Sequence, residues 1–436
     1  MATGKDRAVD IVTMGCSKNL VDSERLMRMF ERAGYKVRHN PERLAAPIVI
    51  INTCGFIGDA KQESIDMILQ CCQAKRRGGK VYVMGCLSER YAEELPADIP
   101  EVDGWYGKFD WEKIIADLAQ NDAAAADAPA WERTLTTPSH YAYVKIAEGC
   151  DRHCAYCAIP LITGRYKSRP IEEIVDETRA LADRGVTELN VIAQDLTYYG
   201  IDLYGRQEIA QLVDRMAQVS GIRRIRLHYA YPTHFPYDLL PVMARHANVC
   251  GYLDIALQHI SDRVLANMRR NITGAETRAL LDRIRREVPG IHIRTTMMVG
   301  FPGEGEAEFA ELMDFVREQR FERLGAFAYC EEDDTYAAKH YDDSIPQEVK
   351  EERLDRLMAL QQDIALSLNQ EKIGQRLEVV IDSETDEYYI GRTEFDSPEV
   401  DPEVLVSKDR ALRPGEYAMV EITDAGPFEL IGRVCD

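Results

Sequence analysis

From residue 8 to residue 95, apolar runs alternate with amphipathic stretches. "AVDIVTMGC" reads as a buried strand, and in the following "NLVDSERLMRMFERAGY" Leu26, Met29, Phe30 and Ala33 recur at helical spacing. "APIVIINTC" then leads into the helical "GDAKQESIDMILQCCQAKRRGG", and "KVYVMGC" into "LSERYAEEL". Strand alternating with helix predicts a parallel sheet. "AQNDAAAADAPA", residues 119–130, has small residues and no apolar period, and reads as a linker. Beyond it the alternation resumes six times, with strands expected in "YAYVKIAEG", "ELNVIAQD", "RIRLHYA", "YLDIALQ", "IHIRTTMMVGF" and "RLGAFAYC". Six such units in this length predict an incomplete (β/α) barrel, because eight need more chain. "IPQEVKEERLDRLMALQQDIALSLNQEKIG" is a long closing helix. The remainder holds five short runs separated by Gly, Pro and Asp turns, which predicts a small antiparallel β-barrel of OB-like type. The expected class is α/β, with domains at 1–120, 138–368 and 369–436 and a linker at 121–137.

Composition adds limits. The 436 residues are 45% hydrophobic and 29% charged, as in ordinary globular proteins. No run of eighteen apolar residues occurs, so no transmembrane helix is expected. "MATGKDRAVDIVTMGC" lacks the charged segment and long apolar run of a secretory signal, so a cytoplasmic location is expected. There, eleven cysteines point to metal or redox chemistry rather than disulfides. Fifty-three basic against 74 acidic side chains give a net charge of −21. That disfavours general electrostatic binding to nucleic acid and suits a basic partner. From Gln370 onward, seven basic and seventeen acidic residues leave −10.

The chemistry concentrates in "VKIAEGCDRHCAYCAIP", where Cys150, Cys154 and Cys157 form a C-x3-C-x2-C run directly after the first barrel strand. Active sites of such barrels lie at the carboxyl ends of the strands. Three thiolates hold three irons of a 4Fe–4S cube and leave the fourth open. The alternative is a structural zinc site with His153 as fourth ligand. "VIAQD" puts Gln194 and Asp195 at the end of the second strand, as ligand contacts or as a helix cap. "MMVGFPGE" ends the fifth strand in Gly300 and Gly303, for close backbone approach or simply a turn. Arg294, on that strand, is either a buried ion-pair partner or an anion clamp. Cys16, Cys54 and Cys86 each end one of the first three strands, beside Gly15, Gly55 and Gly85. Their spacing carries no signal, but their shared position lets three loops present thiolates to one point. Cys71, Cys72, Cys250, Cys330 and Cys435 read as small buried residues.

The triplet, with Tyr156 before its last cysteine, resembles the radical S-adenosylmethionine (SAM) superfamily. The resemblance implies that SAM is the missing ligand of the open iron, split by one electron to a 5′-deoxyadenosyl radical. It implies SAM contacts at Tyr156, Gln194, Asp195 and Gly300, and Arg294 on the SAM carboxylate. "MGCSKNLVDSE", "INTCGFIGDAKQES", "MGCLSERY", "EGCDRHCAYCAIPLITGRYKSRP", "LQHISDRVLANMRR" and "TTMMVGFPGE" together resemble the radical SAM methylthiotransferase family. That likeness spans all three segments. It implies a second 4Fe–4S cluster on Cys16, Cys54 and Cys86 that holds the transferred sulfur, and a C-terminal TRAM domain. One branch of the family modifies adenosines of tRNA. The other methylthiolates the β-carbon of an aspartate in small-subunit ribosomal protein twelve. "GCSKNLVDSE" (with Ser17 where Pro is usual), "LQH" at 257–259 and "YIGRTEFDSPEVDPEVLV" resemble the second branch. The acidic C-terminal segment points the same way, since a barrel that grips tRNA should be basic. "EEDDTYAAKHYDD" is more acidic than is usual there, and is either a recognition loop or a solvated one. The implied partners are that ribosomal protein as substrate and a flavodoxin-like or ferredoxin-like electron donor, with tRNA the alternative substrate. A plain iron–sulfur electron carrier would need neither an open triplet at a strand end nor a barrel.

Overall fold

The computed structural model describes residues 7–119, 129 and 131–435, so most of the stretch read as a linker lies outside the described residues. The chain divides into two compact units. One comprises residues 1–136, 148–152 and 157–167; the other comprises 137–147, 153–156 and 168–436.

The first unit is built on a five-stranded parallel sheet of β1 (Ala8–Thr13), β2 (Lys36–His39), β3 (Ile48–Thr53), β4 (Lys80–Gly85) and β5 (Gly104–Trp105). Its order is β2-β1-β3-β4-β5, so the winding reverses between β1 and β3. Three strands match the apolar runs. The two that the pattern missed are edge strands, β2 ("KVRH") and the two-residue β5, whose short or polar sequences carry no alternation. Helix Ser17–Arg32 buries Leu26, Met29 and Phe30 against Val9, Ile11 and Ile50. Each such side chain contributes about 1.5–3 kcal/mol.

The second unit carries a six-stranded sheet in the order β13-β12-β11-β10-β9-β6, all parallel. Its strands are β6 (Tyr141–Lys145), β9 (Glu188–Ile192), β10 (Arg224–Ala230), β11 (Val249–Gln258), β12 (His292–Val299) and β13 (Arg323–Ala328). They match the six expected strands. Two-residue strands β7 (Ala147–Glu148) and β8 (Lys167–Ser168) flank the cysteine loop. Helix Gln347–Gln370 closes the sheet and leads into a closed barrel of β14 (Arg376–Glu384), β15 (Tyr388–Arg392), β16 (Glu403–Ser407), β17 (Tyr417–Ala425) and β18 (Glu429–Val434). Four of its pairings are antiparallel, and β16 with β18 is parallel. The ring order 14-15-16-18-17 is that of a five-stranded Greek-key barrel.

This small barrel rests on the amino-terminal ends of the sheet strands through buried charge. Arg392 bonds Glu188 at 2.8 Å and Asp382 at 2.6 Å, and His140 bonds Asp382 at 2.7 Å. Arg323 bonds Asp396 at 2.5 Å, and Tyr252 donates to Asp401 at 2.8 Å. His292 stacks on Phe395 at 3.9 Å between ring centroids.

Candidate active site

In the first unit the three strand-end cysteines come together. Cys16 follows β1 and caps helix Ser17–Arg32, Cys54 follows β3, and Cys86 follows β4 and opens helix Cys86–Arg90. The place is the carboxyl edge beside the reversal in strand order, where open α/β sheets form their crevice. A Cβ at Gly15 would stand 2.8 Å from Cys54 Cβ and 3.0 Å from its Sγ, so the first two loops touch. Gly55 and Gly85 lie against neighbouring backbone. Added Cβ atoms there would strike Leu87 backbone at 2.7 Å and Thr53 N at 2.6 Å. These two glycines bring the loops against one another rather than against a guest.

Polar groups surround the thiols. Asn19 donates to the carbonyls of Met14 and Thr53 at 3.0 Å, and its Oδ1 is 3.6 Å from Cys86 Sγ. Lys108, buried, bonds Asp22 at 3.0 Å and Asn19 Oδ1 at 3.4 Å. Burial works to lower the Lys108 pKa, but Asp22 and the nearby thiols hold it well above its usual value. Burial also works to raise Cys16, yet Lys18, Lys108 and the amides of Asn19 and Lys18 leave it lowered. Burial pushes Cys54 up, and Cys86 up to about 12. Asn19, Asp22 and Lys108 were not singled out from sequence. A signal did exist: the buried stripe of the first helix, apolar at Leu26 and Phe30, turns polar at Asn19, Asp22 and Ser23 one to two turns earlier.

The second triad lies in the loop after β7. Cys150 Sγ accepts from Arg152 N at 3.4 Å. In the second unit, Cys154 Sγ accepts from Arg270 at 3.4 Å and lies 3.5 Å from Tyr231 Oη. Tyr156 packs edge-on to Phe301 at 6.2 Å, and its Oη accepts from Arg270 at 3.3 Å. Cys157 precedes helix Ile159–Thr163, which within the first unit lies against Cys86 through Ala158 and Ile162. His153 is exposed, and among the described residues no three His, Cys, Asp or Glu side chains close on a point that could hold a metal ion.

The other expected contacts separate. Gln194 is half-buried just past β9, while buried Asp195 accepts from Thr197 N at 2.8 Å and Oγ1 at 2.6 Å. The cap alternative therefore describes Asp195. Gly300 has φ +74°, and the space its missing Cβ leaves is filled by Lys350 Cγ at 2.4 Å. Its close approach is to the closing helix. Arg294 lies deeper in the sheet. It sits in the first half of β12, paired in register with Arg323, and bonds Asp401 at 3.2 Å and Asp254 at 3.5 Å. The cysteine loop stands at the carboxyl end of its sheet. The partners Arg294 has in this structure are those of the ion-pair alternative.

Against known families, residues 8–107 match the Uncharacterized protein family UPF0004, 144–316 the Radical SAM superfamily and 373–435 the TRAM domain. A ribosomal protein uS12 methylthiotransferase RimO of Parabacteroides distasonis is 58% identical over 428 residues, covering 98% of each chain. That of Phocaeicola vulgatus is 59% identical over 99% of this chain and all of its own. The chain belongs to the RimO methylthiotransferase family. The RimO relative of Cytophaga hutchinsonii is 49% identical over 98% of this chain and 97% of its own. Among solved structures, the radical SAM methyltransferase TsrM of Kitasatospora setae matches with a TM-score of 0.54 at 16% identity, over 74% of this chain and 75% of its own. That likeness concerns the fold. The donor chemistry suits iron–sulfur clusters: soft thiols, with the Arg152 N–H at Cys150, Arg270 at Cys154 and Lys108 near Cys16.

Proposed function

We propose that this chain methylthiolates the β-carbon of an aspartate in ribosomal protein uS12. Cys150, Cys154 and Cys157 would hold one 4Fe–4S cluster with SAM, and Cys16, Cys54 and Cys86 would hold the other. Bound there, the clusters supply the electron that splits SAM and the site from which sulfur is transferred. The observation that carries the reading is the 58–59% identity to uS12 methylthiotransferases over nearly the whole chain, with Cys16, Cys54 and Cys86 following three strands at one sheet edge.

The protein's own groups have clear tasks in this reading. The loop between β7 and helix Ile159–Thr163 presents its three thiols, and Arg270 and Tyr231 fix the middle one. In the first unit, buried Lys108 offsets thiolate charge near Cys16 and Cys86, and Asn19 ties two of the three strand ends together through Met14 and Thr53. A flavodoxin-like or ferredoxin-like donor in the cytoplasm would supply electrons. Among the described residues no helix is long and apolar enough to cross a membrane.

The acidity of the C-terminal segment supports a basic partner less than its net charge suggests. Glu378, Asp382, Glu394, Asp396, Glu399 and Asp401 bond residues in or beside the six-stranded sheet, so these six of the seventeen carboxylates are engaged within the chain. Charge of either origin mainly affects steering and orientation.

The test is anaerobic. Chain reconstituted with iron and sulfide is given SAM, reductant and uS12, and tryptic peptides are weighed. A methylthio addition on one aspartate is expected, lost when Cys54 becomes alanine while 5′-deoxyadenosine is still released. Methylthiolation of added tRNA with uS12 unmodified would overturn the substrate.

A further inference from the structure

Arg270 is 2% exposed, and a buried guanidinium ordinarily has a carboxylate partner. Among the described residues, none pairs with it. Its NH1 donates to Cys154 Sγ at 3.4 Å and to Tyr156 Oη at 3.3 Å, and its NH2 donates to the carbonyl of Ala256. Its Nε, also buried, has no hydrogen-bond partner in the protein. The guanidinium carbon stands 4.0 Å from the centroid of Tyr231, whose hydroxyl in turn approaches the same Cys154 Sγ. A phenol, a π face, a carbonyl and a sulfur thus surround the cation, and the sulfur is the neighbour that the cysteine loop supplies.

The backbone is bent to achieve this. Arg269 and Asn271 have φ of +57° and +52°, so Arg270 sits between two left-handed non-glycine residues. Left-handed backbone at an arginine persists where surrounding structure enforces it. The enforcing contact is to the cysteine loop, because Ala155 N donates to the carbonyl of Met268 at 2.9 Å. The segment therefore grips the loop twice, by backbone at Ala155 and by guanidinium at Cys154.

We propose that Arg270 is the resident counter-ion of the cluster on Cys150, Cys154 and Cys157, donating to the Cys154 sulfur and stabilising the cluster's reduced state. This rests on the cluster assignment made above. Arg270 does not itself react; it is a positioning residue that acts through Cys154. The electrostatics fix the sign. A cube with two positive charges and three thiolates carries −1, and becomes −2 when it takes one electron from the donor. A fixed positive charge with N–H···S bonds favours the second state more, which raises the reduction potential. A purely structural Arg270, holding only Ala256 and the loop, would leave the potential unmoved.

The test uses the full chain with Cys16, Cys54 and Cys86 changed to alanine, so that only the loop cluster reports. Anaerobic potentiometric titration is followed by electron paramagnetic resonance. If this parent chain holds no 4Fe–4S cluster, the cluster assignment fails before any Arg270 variant is compared. With the cluster present, Arg270→Met is expected to lower the reduced-to-oxidised ratio at fixed potential by about tenfold, equivalent to ~59 mV for a one-electron couple. Arg270→Lys, which keeps the charge but loses the fork, is expected to fall between. Should the Met chain fail to load, Lys and Gln variants decide. Loading by Lys but not Gln supports the counter-ion role. Variants that load and titrate at the parent potential overturn it.

Discussion

The six-stranded sheet has two ends, and an arginine serves each of them differently. At the amino-terminal end Arg294 meets Asp254 and Asp401, and its neighbours Arg226, Arg323 and Arg392 meet Glu188 and Asp396. At the carboxyl end Arg270 meets a thiol, a phenol and a carbonyl. Cations matched by carboxylates close an interface, here the seat of the small barrel. A cation with no carboxylate is poised for an anion that the chain itself does not complete. Residue type does not separate the two arginines; their counter-anions do.

The largest expected contrast is between breaking the two ends. Cys154→Ala should reduce 5′-deoxyadenosine release to background. The unfolding free energy of the metal-free chain, read by urea titration, should change by about 1 kcal/mol or less. Glu188→Gln should do the reverse. It leaves Arg392, Arg226 and Arg224 buried around an uncharged amide, and stripping one partner from such a group costs roughly 3–5 kcal/mol. SAM cleavage per folded, loaded molecule should hold. A Glu188 variant of normal stability and impaired cleavage would erase the distinction between the ends.

Much of this was legible in sequence because burial on both faces gives continuous apolar strands. All six sheet strands and all five barrel strands carry that pattern or its alternating form. The edge strand β2 and the two-residue β5 do not, since polar or minimal edges avoid further pairing. The strand-end cysteines were legible only as positions after strands, and their convergence needed the β1–β3 neighbour relation. Arg294 was left as ion-pair partner or clamp because an arginine on a barrel strand shows its residue type but not its depth along the strand. Arg270 lies in a loop within "NMRRN", where nothing local marks which arginine turns inward.

The acid limb gives a smaller, graded contrast. Burial works to raise the Glu188 pKa, but Arg392, Arg226 and Arg224 hold it down at about 2. Asp382 and Asp254 are lowered as well, against burial, chiefly by His140 and Arg392 for the first and by His228 and Arg294 for the second. A carboxylate depressed in the fold is protonated first in the unfolded chain as pH falls. Its stabilisation is thus full above the unfolded value of 4.5 and is lost progressively down to about 2. Hydrogen exchange in β9, β10 and β14 should accelerate across that window. Acceleration confined to the cysteine loop would contradict the assignment of the charged end as the structural one.

Arg294→Met gives the smallest effect and separates the ends most cleanly. The side chain is 21% exposed, and its two contacts are 3.2 and 3.5 Å long. Asp401 keeps Tyr252 and the amide of Ser397, and Asp254 keeps His228 at 3.7 Å. Few groups are left unpaired, so the loss should be about 1–3 kcal/mol. SAM affinity of the loaded enzyme, read by equilibrium dialysis, should not change, because the arginine lies at the end of β12 away from Gly300. A clamp on the SAM carboxylate would instead lose about tenfold or more in affinity, as expected for a charge-assisted bond of roughly 1.5–3 kcal/mol. Stability loss without affinity loss places Arg294 with the barrel seat. Affinity loss without stability loss would return it to the cofactor and leave Arg270 without its contrast.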